Sequence, residues 1–172
     1  MTVEPGRHRR PTSPARRALA VVLGWSAVLI AAPHQNPGPL VHDIALFAHL
    51  GSTVAGFGAV LLVDWAGLLW LARRRTLTDV LRTARTAHVP TWAGFAGLLA
   101  SGLFLGVPAD AKAVAVLVIG LNGVWAAALL TALDRHTDPP AVLLARSLAA
   151  TLVSQLGWWT ALVLGFLTSR PR

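Results

Sequence analysis

Six polar side chains lie within long apolar stretches of this sequence, where such residues need a chemical or a structural reason. They are His49, Asp64, Lys112, Asn122, Arg146 and Gln155. A charged or hydrogen-bonding group in an apolar medium costs several kcal/mol unless it finds a partner. Each of these groups therefore either performs chemistry or joins neighbouring segments of the fold.

Asp64 and Arg146 carry opposite charges at similar depths in two apolar segments. Asp64 lies seven residues before Leu71, where its apolar segment ends next to the RRR run at 73–75, and seven helical residues span about 10 Å. Arg146 lies about five residues into the last apolar segment from the same side. We therefore predict that the two side chains pair. Such a pair is either a proton-relay or gating carboxylate with its counter-ion, or a structural salt bridge between helices.

His49 and Lys112 are candidates for binding a cofactor. At 100° per residue, one stripe of a helix through His49 holds His49, Thr53, Gly56, Val60 and Gly67. Small and polar residues on one stripe are typical of the interior of a membrane bundle. A neutral imidazole there either binds haem iron or another metal, or forms a hydrogen bond with a neighbouring helix. Lys112 either extends to lipid headgroups or faces inward and binds an anion such as a propionate.

Two amides complete the set of polar residues. Asn122 lies near the middle of VIGLNGVW, and Gln155 lies beside a stripe that contains Ser147, Thr151 and Ser154. Side chains of this kind form hydrogen bonds between membrane helices, so we expect both amides in the interior of the bundle. No two histidines have i, i+3 or i, i+4 spacing within an apolar segment, so no self-contained metal motif is predicted.

The composition determines what kind of structure must position these residues. Of the 172 residues 55% are hydrophobic and 13% are charged, against about a quarter charged in ordinary soluble domains. A small soluble domain keeps too much surface to hide that much apolar side chain, which excludes a soluble enzyme and a disordered chain. There is no cysteine, which excludes disulfides and thiolate metal sites.

Five apolar runs predict an all-α, polytopic transmembrane bundle over residues 18–168. The runs are about Ala18–Ala32, Val41–Leu71, Val89–Val107, Ala111–Leu133 and Ala141–Leu167. Helices are expected because no water satisfies an open backbone in a bilayer. The first run reaches only about 22 Å, against a hydrocarbon core of about 30 Å. It is either a span that its flanking residues lengthen or the apolar part of a cleaved signal sequence, which would leave four spans. The poor cleavage site AAPHQNPG favours a span.

The basic residues predict the orientation. Residues 1–17 are basic and proline-rich, and we expect a disordered cytoplasmic tail. With that tail inside, the inner segments contain Arg7, Arg9, Arg10, Arg16, Arg17, Arg73, Arg74, Arg75, Arg82, Arg85 and Arg135, and the outer segments contain Lys112, Arg170 and Arg172. This asymmetry predicts a plasma-membrane protein with an outer carboxyl terminus at 169–172. Topology and anionic lipid explain the net charge of +8, so a nucleic-acid partner is not expected.

Four sequence stretches carry a resemblance. HLGSTVAGFGAVLLVDWAGLLWL, HVPTWAGFAGLLASGLFL, AKAVAVLVIGLNGVW and SQLGWWTALVLGFL resemble a group of small, uncharacterised multi-pass membrane proteins of actinobacteria. In architecture, the chain also resembles the haem-binding protoporphyrinogen oxidase family and the copper-resistance D-type membrane domain. That resemblance implies roles in haem binding for a His and a Lys, which correspond to His49 and Lys112. The tryptophan-rich and YLPR-like signature of the oxidase family is not present.

Three functional hypotheses remain open. The protein is a haem-binding or redox-associated membrane protein with His49 as iron ligand and haem b as cofactor. Alternatively, it is a proton-coupled transporter that uses Asp64, for which a homodimer would supply the symmetry. In the third hypothesis it is an accessory or structural subunit of a membrane complex. In all three hypotheses the protein lies in a lipid bilayer.

Overall fold

The computed structural model describes residues 13–106 and 110–168, and within these ranges it contains helices and no strand. The helices are α1 (Pro14–Ala31), α2 (Pro39–Leu71), α3 (Leu77–Phe104), α4 (Ala111–Leu133) and α5 (Ala141–Thr168). A 3₁₀ turn, Ala32–His34, extends α1. The prediction of an all-α bundle is thus confirmed.

Local sequence signals set the starts of the helices. Ser13 caps α1 by accepting a hydrogen bond from the Arg16 amide, and Pro39 occupies the first turn of α2, where its missing N–H costs nothing. Thr76 and Asp79 form a reciprocal capping box at the start of α3. At α4, the Asp110 carboxylate accepts from two backbone amides at 2.9 and 3.2 Å.

The boundaries of α1 and α3 differ from those expected. Helix α1 begins at Pro14 rather than Ala18, so part of the predicted tail is helical, and residues 1–12 lie outside the described residues. Helix α3 joins the polar connector and the third apolar run into one helix that passes through Pro90. The capping box starts the helix early, and nothing between it and Pro90 breaks it. The expected end at Val107 and the outer tail 169–172 lie outside the described residues.

Two antiparallel hairpins, α2 with α3 and α4 with α5, form most of the bundle, and α1 packs against α4 and α3. We call the two ends of the bundle the Pro39 end, where α2 and α4 begin, and the Arg73 end, where they finish. Gly56 and Gly94 let α2 and α3 approach closely, since a Cβ on Gly94 would lie 2.5 Å from the Gly56 nitrogen. The core between the hairpins contains Val21, Phe57, Phe95, Leu98, Ile119, Val124 and Trp158.

Four helices are long and apolar enough to cross a membrane: α1 with its 3₁₀ turn, α2, α4 and α5. The arguable first segment is therefore one of them, because its flanks extend it to 21 residues, or about 30 Å. Helix α3 is less apolar, since glycines, serine and threonine occupy the face that packs on α2. Its antiparallel packing on α2 nevertheless places its second half beside the apolar part of that helix.

Large apolar side chains cover the outside of the bundle. Phe47, Val54 and Leu156 are 79%, 74% and 69% exposed, and every helix contributes similar residues. Water would strongly oppose such a surface, whereas hydrocarbon chains accommodate it. The outer face of the bundle is therefore a lipid-facing surface.

Candidate functional site

A cavity of about 520 Å³ opens between the helices in the half of the bundle towards the Pro39 end, and we call it the His49 cavity. All five helices line it, and its size lies within the 300–1,000 Å³ usual for cofactor and small-molecule sites. Its wall is largely apolar, with Leu50, Leu99 and Leu162 among the contributors. Its charged or titratable lining residues are His49 and Lys112. The structure therefore brings together the two residues that the sequence proposed for a cofactor.

The hydrogen bonds around His49 hold its ring in place. Nδ1 of His49 lies 2.9 Å from the Ser101 hydroxyl, and that hydroxyl lies 2.6 Å from the Gly97 carbonyl oxygen. A carbonyl oxygen only accepts, so when the hydroxyl proton of Ser101 is directed to Gly97, Ser101 accepts the proton of His49 Nδ1. In that arrangement Nε2 of His49 carries an unprotonated lone pair, which is the form that binds a metal.

Helices α1 and α4 close the cavity on the side of Lys112. The indole nitrogen of Trp25 in α1 donates a hydrogen bond of 2.8 Å to the carbonyl oxygen of Ala113 in α4. Both residues line the cavity, and Lys112 precedes Ala113 in the first turn of α4. Helix α1 is therefore part of the wall of this site, and its removal would open the cavity.

A second, smaller cavity of about 230 Å³ lies towards the Arg73 end, between α2, α3, α4 and α5, and we call it the Asp64 cavity. Its wall is more polar. Besides Asp64 it includes His88, Thr91, Asn122, Ser147, Thr151 and Ser154. The polar stripe that the sequence shows on α5 therefore faces this cavity.

A layer of aromatic and aliphatic side chains separates the two cavities. Trp158, 1% exposed, stacks on Phe57 with ring centroids 5.6 Å apart. Trp92 meets Phe95 edge to face at 5.7 Å. Phe95 and Trp158 line the His49 cavity, whereas Trp92 lines the Asp64 cavity. The two sites therefore lie one above the other along the bundle.

The predicted pair of Asp64 and Arg146 does not form. Within the described residues no ion pair of 4.0 Å or less joins them, and Arg146 is exposed. Instead, Nε2 of Gln155 donates to the Asp64 carboxylate, and Trp159 donates to Oε1 of Gln155 at 3.0 Å. Equal depth did not imply contact, because Arg146 lies on a face of α5 that turns away from α2.

Asn122 lies inside the bundle, as expected, whereas Gln155 is half-buried beside Asp64. Asn122 is 7% exposed, and its Nδ2 donates a hydrogen bond of 2.8 Å to the carbonyl oxygen of Ala150. This hydrogen bond joins α4 to α5. Its Oδ1 has no hydrogen-bond partner among the described residues. Gly67, by contrast, has only open space beside it, so the predicted interior stripe of α2 does not extend that far.

Sequence reasoning missed the role of Ser101. Ser101 is a buried residue of α3. Nothing in the spacing between residues 49 and 101 indicates that their side chains meet. Within the described residues no group of three or more His, Cys, Asp or Glu side chains could hold a metal ion. A metal in this protein would therefore arrive within a cofactor or be bound by few protein ligands.

The fold and its apolar exterior define the class of this protein: it is a polytopic helical membrane protein. Comparison with protein-family models, with curated proteins and with solved structures found no match. The residues of the two cavities are therefore the guide to its function.

Proposed function

We propose that this protein is a haem-binding, redox-associated membrane protein in which His49 is the axial ligand of haem b. The observation that carries the proposal is the chain of hydrogen bonds from His49 Nδ1 through Ser101 to the Gly97 carbonyl oxygen. This arrangement resembles the partners that orient metal-binding histidines in general, which hold the ring and leave the other nitrogen free.

The rest of the His49 cavity fits the same cofactor. Its apolar wall suits a macrocycle, and the ammonium group of Lys112 suits a propionate at the Pro39 end. No second histidine lines this cavity in the described ranges, and the chain has no cysteine and only Met1 as methionine. The site therefore supplies one protein ligand. A haem bound there would be held by His49 and Lys112 and would supply one-electron chemistry.

We also propose that the Arg73 end is cytoplasmic and that the amino terminus lies on that side. Arg82 and Arg85 of the first half of α3 lie at this end with Arg73, Arg74, Arg75 and Arg135 of the connecting segments, and Lys112 lies at the other end. Arg85 of α3 also donates to Asp134 beyond α4, at 3.1 Å from its Nε, which stabilises the end of the bundle. On this orientation the His49 cavity lies in the extracytoplasmic half of the membrane.

The test is the visible spectrum of the full chain purified in mild detergent from haem-replete cells. We expect a Soret band and about one haem per chain by the pyridine haemochrome assay. His49→Ala should abolish the band, whereas His42→Ala, at an exposed histidine of the same end, should retain it. A colourless wild-type protein that also fails to take up added haemin would refute the proposal and favour an accessory subunit. A band that survives His49→Ala would place the ligand elsewhere.

A proton-coupled transporter that uses Asp64 is a second candidate. It is favoured by the fact that this carboxylate lines a polar cavity instead of being neutralised by Arg146. Proteoliposomes loaded with a pH-sensitive dye would test it. An imposed pH gradient should collapse faster with the wild-type protein than with Asp64→Asn, and equal rates would exclude this candidate.

A further inference from the structure

We propose that the Asp64 cavity binds one small monovalent cation. The Asp64 carboxylate would be its charged ligand, and the side-chain carbonyl oxygen of Asn122 would be a neutral ligand. The two residues come from α2 and α4 and line the same cavity. A bound cation would therefore join the hairpin of α2 and α3 to the hairpin of α4 and α5.

The cavity presents acceptors that have no donor. Oδ1 of Asn122 is buried and has no partner among the described residues, although its Nδ2 bonds to Ala150. A buried acceptor without a partner destabilises the fold, so its presence in the wall needs an explanation. Among the described residues the Asp64 carboxylate receives one hydrogen bond, from Gln155 to Oδ2, and none to its Oδ1.

The hydroxyl groups of the wall add to this acceptor character. Ser147 donates its proton to the Leu143 carbonyl oxygen at 3.0 Å, and Thr91 donates to Ala87 at 2.7 Å. Each hydroxyl proton is thereby used within its own helix, and only the oxygen lone pairs remain for other contacts. The oxygens of Ser147 and Thr91 can therefore accept from a donor or bind a cation.

The charge of the wall selects a monovalent ion. Asp64 is its one acidic residue and His88 its one other titratable residue, and the charge of Arg17 acts on His88. Arg146 of α5 is exposed. One carboxylate neutralises one positive charge, whereas a divalent ion would leave a net charge in an apolar layer, at high cost. Oxygen ligands suit a hard cation such as Na⁺.

The dimensions also fit. About 230 Å³ accommodates several water molecules at about 30 Å³ each, and so a cation that keeps part of its hydration shell. The layer around Trp158 and Phe57 separates this site from the His49 cavity. The cation site is therefore independent of whether haem binds at His49.

The experiment measures the thermal unfolding midpoint of the full chain in detergent, in 100 mM NaCl and in 100 mM N-methyl-D-glucamine chloride at one pH. An ion that binds only the folded state raises the midpoint, and we expect Na⁺ to raise it by at least about 3 °C. Saturable binding of ²²Na⁺ to the wild-type protein, at about one ion per chain, is the second measurement.

Two variants remove the site in different ways, and a third variant serves as a control. Asp64→Asn removes the charge but keeps the shape, and Ala126→Leu fills the cavity while Asp64 remains. Both should lose the Na⁺-dependent shift and the ²²Na⁺ binding. Asp43→Asn removes an acidic side chain that is 79% exposed at the other end, and it should retain both.

Three outcomes would overturn the proposal. The wild-type protein could show equal midpoints in the two salts and no saturable ²²Na⁺ binding, as it would if a proton alone neutralised Asp64. The Na⁺-dependent shift could persist in Asp64→Asn. Finally, 1 mM CaCl₂ could give a larger shift than Na⁺, which would contradict the argument for a single charge. If Asp64→Asn does not fold, Ala126→Leu and the binding isotherm of the wild-type protein still decide the question.

Discussion

Gly94→Ala should loosen the contact between α2 and α3 that positions the His49 cavity. A Cβ at this position would lie 2.5 Å from the Gly56 nitrogen and 2.6 Å from both the Gly56 Cα and the Ser52 carbonyl oxygen. Ordinary contacts of a Cβ begin at 3.4 Å, so the helices must separate locally by about 1 Å. All three atoms belong to the backbone, and no side chain can rotate to make room.

The size of the effect follows from that separation. A gap of 0.5–1 Å removes about a quarter to a half of the dispersion attraction between facing atoms. Overpacking of this kind costs about 1–3 kcal/mol. Alanine also stabilises the interior of a helix by up to about 1 kcal/mol relative to glycine. The control must therefore also be a glycine-to-alanine substitution within a helix. Gly51→Ala in α2 is such a substitution, and its Cβ would meet nothing within 4 Å.

The assay is reversible unfolding in mixed micelles, followed by the fluorescence of the seven tryptophans. Relative to Gly51→Ala, we expect Gly94→Ala to lower the free energy of unfolding by about 1–3 kcal/mol. Because α3 also carries Ser101, the same movement should weaken the hydrogen bond to His49 and broaden any haem spectrum. Equal stability of the two variants would refute the close packing of α2 on α3 and, with it, the geometry inferred for His49.

Three further predictions concern single contacts. Ser101→Ala should lower haem affinity by about 10–100-fold in a haemin titration, because it removes the hydrogen-bond partner of His49 Nδ1. Ser101→Thr should restore part of that affinity. Unchanged affinity in the alanine variant would argue against a role of Ser101 in orienting His49. Trp25→Phe removes the hydrogen bond between α1 and α4 and should cost about 1 kcal/mol in the same unfolding assay, whereas no change would mean that α1 is not anchored there. The Thr76 hydroxyl holds the pKa of Asp79 below its usual value. The stabilisation from this carboxylate is therefore present above its ordinary pKa and is lost as the pH falls through the depressed pKa. Asp79→Asn should reduce the fall of the thermal unfolding midpoint at acid pH. An unchanged dependence of the midpoint on acid pH would contradict this role of Asp79.

Helix class and most helix positions could be predicted because they depend on local properties. Apolar runs long enough for a bilayer must be helical, and residues such as Ser13, Pro39 and Asp110 mark helix starts by their own backbone chemistry. The predicted starts of α1 and α3 were wrong, because the caps at Ser13 and Thr76 begin these helices before the apolar runs that start at Ala18 and Val89.

The partners of the polar residues could not be predicted, since they depend on how the helices rotate and on which helices become neighbours. Similar depth in the apolar segments predicted that Arg146 would pair with Asp64. The rotation of the helices instead places Gln155 beside Asp64. The hydrogen bond between His49 and Ser101 joins residues 52 positions apart, and no local pattern encodes that separation.

By itself, the sequence determined that this protein lies in a membrane, that it is helical, and which polar residues are unusual there. Hydropathy and charge are sums over neighbouring residues, so they can be read without a fold. Only the tertiary structure decided that His49 and Lys112 share one cavity, that Asp64 and Asn122 share another, and that an aromatic layer divides the two. Cavities are the spaces left between packed helices, and their walls exist only when the rotations and spacings of all the helices are set together.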